Sequence, residues 1–251
     1  MGNVAEAYAG LPSMPTRPDR NLEQTEEEAA SYRKAVEEAQ EKQREWRCSV
    51  AMDKYKELHK MFRKAGIKIH TVKFAPASWS DEEIDYAFRA AKVLGAKGVS
   101  NEIGDEACKR LGKFAEKYDM YAVYHNHLQP GEPAFSFEKF LDYSPNNMLN
   151  FDVGHYYGAT GIHPNEVIEK LHDRIYSLHI KDKTGKYSDP ANINKPFGEG
   201  DTPIGEILHL IRDNNWPIYC DIELEYAVPD NSDALQEVKK CIEYCRDLLI
   251  K

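Results

Sequence analysis

LNFDVGH at 149–155 is an apolar run that ends in ligand-type side chains, and three further runs share this pattern: YAVYHNH at 121–127, IYSLHIKD at 175–182 and IYCDIELE at 218–225. Short apolar runs of this kind are typical of buried β-strands. In an α/β barrel all the parallel strands end on one face. We therefore expect the four strand ends to bring His, Asp and Glu side chains together, although they lie far apart in the sequence.

The spacing between the strand ends is that of a repeated structural unit. His125 and Asp152 are 27 residues apart, Asp152 and His179 are again 27 apart, and 44 residues separate His179 from Glu223. The shorter interval suits one strand, one helix and two loops, and the longer one leaves room for an inserted loop. Because imidazole and carboxylate groups are common ligands of divalent metals, these positions predict a metal site. His127 shares the strand face of His125 and is the alternative ligand.

Strands and helices alternate along most of the chain, which implies parallel strands joined by right-handed crossovers. The first predicted strand, NVAEAYAG at 3–10, precedes a Pro-rich loop, a charged helix at about 24–47, and a second helix at 51–66 capped by Ser49. With that strand we count seven, whereas a barrel of this kind closes with eight. The other six strands are predicted over 67–74, 96–103, 120–127, 148–155, 174–182 and 217–225.

Seven strands leave such a barrel open on one side, and an open strand edge exposes unpaired backbone groups. We therefore expect an irregular N-terminal region, with the gap covered by the charged helix at 24–47 or by another subunit. The domain assignment is a single barrel over 1–251. It has a divergent part at 1–66 and regular βα units at 67–251.

The composition suits a soluble globular protein of the cytoplasm. The 251 residues are close to the ~250 of a (β/α)8 barrel, and 33 basic against 42 acidic residues give a net charge of −9. An acidic chain argues against a nucleic-acid partner. No apolar stretch has the ~18–20 residues of a membrane span, and the N-terminus lacks the features of a signal peptide. Five cysteines without a CxxC pair suit reduced thiols. We expect a small polar substrate and no membrane partner, and a homo-oligomer stays open.

The strand ends resemble those of the xylose isomerase-like barrel family, which includes sugar phosphate isomerases and epimerases, inosose dehydratases and, more remotely, apurinic endonucleases. Each motif alone is weak, but their order and spacing are specific. The resemblance implies a TIM-type (β/α)8 barrel that holds one divalent metal ion, either Mn, Mg, Co or Zn. The matching motifs within 67–251 are HNH (125–127), DVGH (152–155), HIKD (179–182), FGEGDTPIG (197–205) and IELEY (222–226).

The resemblance also implies a set of metal ligands. Family members hold the metal with Glu, Asp, His and Glu, and Asp152, His179 and Glu223 fall on three of these positions. The fourth position is His125 here, where many members have Glu. Glu225 is the second choice for Glu223, which it flanks on the same strand face.

The histidine at the fourth position bears on the mechanism. In family epimerases two metal-bound glutamates flank the substrate carbon, one removing a proton and the other returning it. Glu223 can act as one base, but a metal-bound His125 has no free lone pair. Lys181, His127 or Glu102 is therefore expected to supply the second group.

Further polar residues are predicted to contact the substrate. His155 is expected to orient either Asp152 or the substrate, while a lone strand histidine such as His70 also suits a core position. The glycines of GEGDTPIG (198–205) form either a tight loop or a phosphate cradle. Since Glu199 and a nearby aspartate would repel an anion, we favour a neutral sugar or polyol. The predicted substrate contacts are Glu102, His155, Glu199 and His70.

The function predicted first is a metal-dependent sugar isomerase or epimerase that removes a proton next to a metal-polarised carbonyl of a keto-sugar or polyol. The alternative is a lyase or dehydratase of a keto-sugar or keto-inositol, like inosose dehydratase. An endonuclease is disfavoured by the acidic charge and by the lack, after HIKD (179–182), of the Asp-x-His ligands of trinuclear relatives. A sugar-binding barrel without metal would require the converging ligands to be accidental.

Overall fold

The computed structural model describes residues 2–19 and 25–250. These residues divide into two compact units. The first unit holds the chain up to Val99 together with Phe114–Tyr121, and the second holds Ser100–Lys113 and the chain from Ala122 onwards. The assignment of one domain over 1–251 stays a prediction.

In the described part of the first unit, three helices precede its short strand. Its longest helix begins at a capping box, in which the Thr25 side chain accepts a hydrogen bond from the backbone of Glu28, while the Glu28 side chain accepts one from the backbone of Thr25. This confirms the charged helix predicted at 24–47, of which residue 24 lies outside the described residues. The elements are α1 (Gly2–Ala9), α2 (Glu26–Ser49), α3 (Asp53–Lys64), β1 (Thr71–Lys73), a 3₁₀ turn (Pro76–Ser78) and α4 (Asp81–Val93).

The strand predicted at 3–10 is wrong, because this segment forms α1. It contains three alanines, and alanine has the highest helix propensity. Packing favours the helix as well, since Ala5 and Glu6 are buried. The Glu6 carboxylate accepts a hydrogen bond from Arg47 Nε at 3.0 Å. A segment this short carries too few residues for its apolar pattern to separate strand from helix.

The helix predicted at 51–66 is confirmed as α3, but Ser49 does not cap it. Ser49 is the last residue of α2, and its hydroxyl donates to the carbonyl of Glu45 at 2.8 Å. Met52 precedes α3 without a side-chain capping bond. The Ser49 hydroxyl therefore bonds to the backbone of the preceding helix instead of capping α3. The sequence does not reveal which of these two local hydrogen bonds forms.

The rest of the chain alternates strands and helices, as predicted. The strand predicted at 148–155 ends at Asp152, because the following residues form a helix. Within the described residues, no helix is both long and apolar enough to cross a membrane. The elements are β2 (Gly98–Glu102), α5 (Asp105–Tyr118), β3 (Tyr121–His125), α6 (Phe137–Leu141), β4 (Asn147–Asp152), α7 (Val153–Thr160), α8 (Asn165–Leu171), β5 (Ile175–Ile180), β6 (Asp182–Lys183), β7 (Asn194–Lys195), α9 (Ile204–Asn214), β8 (Tyr219–Ile222) and α10 (Ala234–Ile250).

Within the described residues, six strands form one sheet in the order β1-β2-β3-β4-β5-β8, and β6 pairs with β7 in a separate antiparallel ladder. The pairs β3–β4, β4–β5 and β5–β8 are parallel. The predicted α/β fold with a parallel sheet is therefore confirmed. The sheet has one strand fewer than the seven predicted, since 3–10 is helical. Coverage of the sheet edge by the helix at 24–47 or by another subunit stays a prediction.

Strand β4 is buried along its whole length. Its polar side chains are nevertheless paired: Asn147 Nδ2 donates to two backbone carbonyls at 2.8 and 2.9 Å, and Asn150 Oδ1 accepts from the Ser177 hydroxyl at 2.8 Å. Buried polar groups are normally hydrogen-bonded, and these two amides follow that rule. Their bonds tie β4, at whose carboxyl end Asp152 lies, to the segments around it.

Candidate metal centre

The four predicted ligands lie at the carboxyl ends of neighbouring strands. Asp152 ends β4 and is the register partner of His179 in β5. His125 ends β3, which pairs with β4 on its other side. Glu223 follows β8 directly, and its backbone N–H donates to the carbonyl of Ile180 at 3.0 Å. Parallel pairing therefore brings the four side chains to one edge of the sheet.

One ligand atom from each of these four residues lies within 4.8 Å of the others. His125 Nε2 is 3.1 Å from Asp152 Oδ2. His179 Nδ1 is 2.6 Å from Glu223 Oε2 and 3.8 Å from Asp152 Oδ2. Ligand atoms bound at ~2.1 Å to a tetrahedral metal are about 3.4 Å apart, a value inside the observed range. The predicted cluster is assembled at ligand distances, and metal binding itself stays a prediction.

Two of the ligand atoms, His179 Nδ1 and Glu223 Oε2, are buried without a hydrogen bond to any described residue. They lie 2.6 Å from each other, and Glu223 Oε2 also lies 2.7 Å from Lys181 Nζ, but none of these contacts has hydrogen-bond geometry. Buried polar atoms are normally paired, and an unpaired one is explained by a missing water or ion. A divalent cation between these atoms would supply the missing interaction, so the residues present fit such a group.

The two carboxylate oxygens of Asp152 have different contacts: Oδ1 caps a helix, and Oδ2 belongs to the ligand cluster. Its Oδ1 accepts the backbone N–H of His155 at 2.7 Å and so caps α7. Its own backbone N–H donates to Asn126 Oδ1 at 2.9 Å. With the residue fully buried, Oδ2 lies against His125. Asn126 is a positioning residue that sequence reasoning missed, although it stands between the two histidines of HNH.

Lys181 lies against the same oxygens. Its Nζ is 2.9 Å from Asp152 Oδ2, 2.7 Å from Glu223 Oε2 and 2.7 Å from Glu225 Oε2. Burial lowers the pKa of Lys181, but the carboxylates outweigh this effect and raise the pKa above its ordinary value. Lys181 is therefore a buried group that carries its ammonium charge at neutral pH. Glu225 contacts this lysine and lies outside the four-ligand group.

His155 lies between two lysines. Its Nε2 is 3.0 Å from Lys181 Nζ, and its Nδ1 is 3.4 Å from Lys183 Nζ. Burial lowers the pKa of His155 to about 4, although the Asp152 charge opposes the shift, so the imidazole is neutral at pH 7. Burial, and then the charge of Lys181, lower the pKa of Lys183. Sequence reasoning missed Lys183 because it lies beyond the strand end.

Glu102 and His127 form a second group with His125. Glu102 Oε2 is 3.1 Å from His125 Nδ1 and 2.9 Å from His127 Nε2. The side chain of His127 is 45% exposed, whereas that of His125 is 2% exposed. Of the two histidines in HNH, His125 joins the four-ligand cluster and His127 faces outward.

Burial and charge together set the protonation of the cluster. Burial lowers the pKa of His125, but its hydrogen bonds to two carboxylates outweigh this and raise the pKa to about 9. Burial raises the pKa of Asp152, yet His125 and Lys181 hold it below its usual value. Burial also raises the pKa of Glu223. The contact of Glu223 with His179 and the positive charge of Lys181 outweigh burial and hold this pKa well below the usual range. At neutral pH the two carboxylates are ionised, and a metal would displace a proton from His125.

The glycine loop is organised by a buried carboxylate. Asp182 accepts the backbone N–H groups of Gly198, Gly200 and Thr202 at 2.8, 3.0 and 3.2 Å. A Cβ added to Gly200 would lie 2.3 Å from Asp182 Oδ1, so this approach requires glycine. Because these donors already bind Asp182, the segment is a tight loop, and they are not free to cradle a phosphate. Glu199 is exposed on this loop.

His70 lies in the first unit, just before β1, and is half-buried. It belongs to neither group of metal-ligand side chains found among the described residues. The contacts above link every predicted site residue except His70 and Glu199. The roles of these two residues as substrate contacts stay predictions.

The sequence matches the model of the xylose isomerase-like TIM barrel family over residues 27–248. It is also similar to an inosose dehydratase from Bacillus thuringiensis (strain Al Hakam). The two are 31% identical over 163 residues, which covers 59% of this chain and 54% of that protein. The chain thus spans about half the length of the curated relatives that it matches.

Solved structures share the fold. A xylose isomerase domain protein from Planctomyces limnophilus has a TM-score of 0.62 and 16% identity, covering 79% of this chain and 82% of that chain. A xylose isomerase-like TIM barrel protein from Mycobacterium smegmatis, in complex with magnesium, has a TM-score of 0.58 and 16% identity, covering 80% and 79%. At such identities the likeness concerns the fold alone. Since the family model covers most of the sequence, the chain belongs to the xylose isomerase-like TIM barrel family.

Proposed function

We propose that this protein is a metal-dependent lyase that eliminates water from a small keto-sugar or keto-inositol. The observation that carries the proposal is the cluster of His125, Asp152, His179 and Glu223 with the ammonium of Lys181 against two of its oxygens. It places a carboxylate base and an ammonium acid side by side. The similarity to inosose dehydratases supports the same type of reaction.

His125, Asp152, His179 and Glu223 would hold the cation. A divalent metal bound there would polarise the carbonyl oxygen of the substrate and so make the neighbouring C–H bond more acidic. Two imidazole ligands favour a transition metal such as manganese, cobalt or zinc over magnesium. Magnesium stays a candidate as well, because the M. smegmatis relative was solved in complex with that ion.

Glu223 is the proposed base. Its side chain is 28% exposed, more than that of any other ligand in the cluster, so it is the ligand best able to reach a substrate. Its low pKa keeps the carboxylate ionised. The carboxylate takes the proton from the carbon next to the carbonyl, and the C–H electron pair forms a C=C bond as the C–O bond to the next hydroxyl breaks.

Lys181 is the proposed acid. It gives a proton to the departing hydroxyl, which leaves as water, and becomes a neutral amine. Glu223, which now carries the substrate proton, lies 2.7 Å away. Transfer of that proton from Glu223 to Lys181 restores both groups, so the net change is the loss of one water from the substrate.

The charges around the cluster support the proposed substrate class. The backbone donors of the glycine loop are already bound to Asp182, and Glu225, which pairs with Lys181, adds a second carboxylate beside the cluster. These features disfavour a phosphorylated sugar and favour a neutral polyol with a ketone. A cytoplasmic location and assembly into a homo-oligomer stay predictions.

A second candidate is isomerisation or epimerisation of the same substrate class. It is favoured by the exposed imidazole of His127, which pairs with Glu102 at 2.9 Å and offers a second base beside the cluster. Elimination is preferred because His125 replaces the second metal-bound glutamate, while Lys181 supplies an acid for a leaving hydroxyl. Both reactions share Glu223.

Elemental analysis and product analysis test the proposal together. We expect about one divalent metal per chain and, on incubation with ketohexoses and inososes in deuterated buffer, loss of water detected by NMR. Deuterium uptake without loss of water would favour the second candidate. A protein that contains no metal, binds none on titration and leaves all these substrates unchanged would contradict both.

Glu223→Gln sharpens this test. The variant keeps the size of the side chain and one coordinating oxygen but removes the base, so we expect an intact fold and no turnover. Glu225→Gln is the matched control, since Glu225 touches Lys181 without joining the ligand group, and it should retain turnover. If Glu223→Gln stays active and Glu225→Gln does not, Glu225 is the base.

A further inference from the structure

We infer that Glu102 is a positioning residue, which orients the His125 imidazole for metal binding and holds His127 beside it with the same oxygen. The sequence predicted Glu102 as a substrate contact or second catalytic group. This inference rests on the proposed metal centre and deepens it. It also explains how a histidine can serve at a position where the family resemblance leads one to expect glutamate.

The backbone places Glu102 next to both histidines. Glu102 ends β2, and the following residue, Ile103, donates its backbone N–H to the carbonyl of His125 at 2.8 Å. The ends of β2 and β3 are therefore hydrogen-bonded at this point. From there Glu102 Oε2 reaches His125 Nδ1 at 3.1 Å and His127 Nε2 at 2.9 Å.

One imidazole presents two nitrogens in different directions, and a metal needs the lone pair of only one. In His125, Nδ1 faces Glu102 and Nε2 faces Asp152 Oδ2 at 3.1 Å. A carboxylate that accepts from Nδ1–H leaves Nε2 as the metal ligand and raises its basicity. Glu102 thus selects the nitrogen that points into the four-ligand cluster.

The same oxygen links the metal ligand to the exposed histidine. The rings of His125 and His127 meet edge to face at 86°, with centroids 4.6 Å apart. Glu102 lies at the nitrogen edges of both rings. Removing its carboxylate therefore frees two rings at once, one in the ligand cluster and one beside it.

A structural role alone would not account for this arrangement. The Glu102 side chain is 38% exposed, and exposed ion pairs contribute little to stability. We therefore expect variants at this position to fold. Their effect should appear in metal affinity and in the hydrogen bonding of the His125 ring.

Isothermal titration with Zn²⁺ and with Mn²⁺ tests the inference. Glu102→Leu removes both acceptor oxygens at nearly constant size, and we expect a 10–100-fold weaker Kd, the range typical of residues that orient a metal ligand. Glu102→Gln keeps one acceptor oxygen and should weaken binding less. Glu106→Leu, at an exposed glutamate in α5, is the matched control and should bind within about twofold of the parent. If Glu102→Leu does not fold, a Glu102→Gln variant with unchanged Kd overturns the inference.

NMR of ¹⁵N-histidine-labelled protein gives a second readout that does not need activity. We expect a protected Nδ1–H resonance for His125 in the parent, with and without Zn²⁺, and its loss in Glu102→Leu. If the parent binds metal and Glu102→Leu binds it equally well, the inference is wrong and the proposed metal centre stands. If the parent binds no metal, the proposed function is wrong, and the Nδ1–H resonance still decides: its persistence in Glu102→Leu overturns the inference.

Discussion

Each compact unit buries a group of charged side chains, and the two groups differ in how completely they are paired. In the first unit, Arg47 donates from Nε to Glu6 at 3.0 Å, from Nη1 to Glu83 at 3.1 Å and from Nη2 to Gln43 at 3.3 Å. The Trp79 ring lies 3.9 Å from the guanidinium carbon. Every guanidinium nitrogen has an acceptor, so this group is closed.

The ligand cluster in the second unit is open, because some of its buried polar atoms have no hydrogen bond. His179 Nδ1 and Glu223 Oε2 face each other without a hydrogen bond to the described residues. The only lysine with its ammonium against the ligand oxygens, within the described part of the chain, is Lys181. A closed group stabilises a fold, whereas buried ligand atoms left without a hydrogen bond are typical of functional sites. The two groups should therefore respond to mutation in opposite ways.

The largest expected effect on stability is at Arg47. Arg47→Met would leave Glu6 and Glu83 buried without their partner, and breaking a buried ion pair on one side costs about 3–5 kcal/mol. Chemical denaturation should show this loss, while the Kd for metal stays unchanged. Arg44→Met, in the same helix but at an exposed pair with Glu41, is the control and should unfold like the parent. A fully stable Arg47→Met would show that the closed group is not structural.

Asp152→Asn should lower metal affinity and leave the stability of the fold nearly unchanged, the reverse of Arg47→Met. The amide oxygen can still accept the His155 N–H and cap α7, because asparagine caps helices as well as aspartate. Charge at the cluster is lost, so we expect metal affinity to fall by more than about 100-fold, beyond the range of residues that only orient a ligand. Asp201→Asn is the control, since Asp201 also accepts local hydrogen bonds, from Gly185 and Ser188, outside the cluster. Unchanged metal affinity in Asp152→Asn would remove Asp152 from the ligand set.

The pH dependence of metal binding follows from His125. Its pKa is raised to about 9, so at lower pH a proton occupies the nitrogen that the metal needs, and binding must release it. We expect the Kd to weaken about tenfold per unit of pH below that value, hence about 100-fold between pH 8.5 and pH 6.5. Titration calorimetry in two buffers of different ionisation enthalpy would count the released proton. Affinity independent of pH over this range would show that His125 is not a ligand.

Lys181→Met should give a smaller change in affinity and of opposite sign. Removing an ammonium within 2.9 Å of two ligand oxygens makes them more available to a cation, so we expect binding about tenfold tighter, a modest part of the Coulomb energy at such distances. Turnover should be lost together with the proposed acid. Lys183→Met is the control, because Lys183 contacts His155 and no ion pair joins it to the ligand oxygens within the described residues. Weaker metal binding in Lys181→Met would contradict the competition between the two cations.

Sequence reasoning worked best where the pattern is local and strongly periodic. The six strands from 67 onward and the charged helix at 24–47 were predicted because an apolar run or a long charged segment lies within one element. The failure at 3–10 came from a segment too short for its pattern to separate strand from helix. Ser49 was assigned to the wrong helix, because a hydroxyl can bond backward or forward along the chain with equal ease.

By itself the sequence determined which residues stand at the strand ends, since alternation of strands and helices places those ends on one face wherever the chain repeats the unit. Only the tertiary structure decided how the side chains meet. It separated His125 from His127, brought Lys181 against Asp152 and Glu223, and bound the glycine loop to Asp182. These choices depend on side-chain direction and on distances of a few ångströms between segments far apart in the chain. The spacing of residues in a sequence carries no information at that scale.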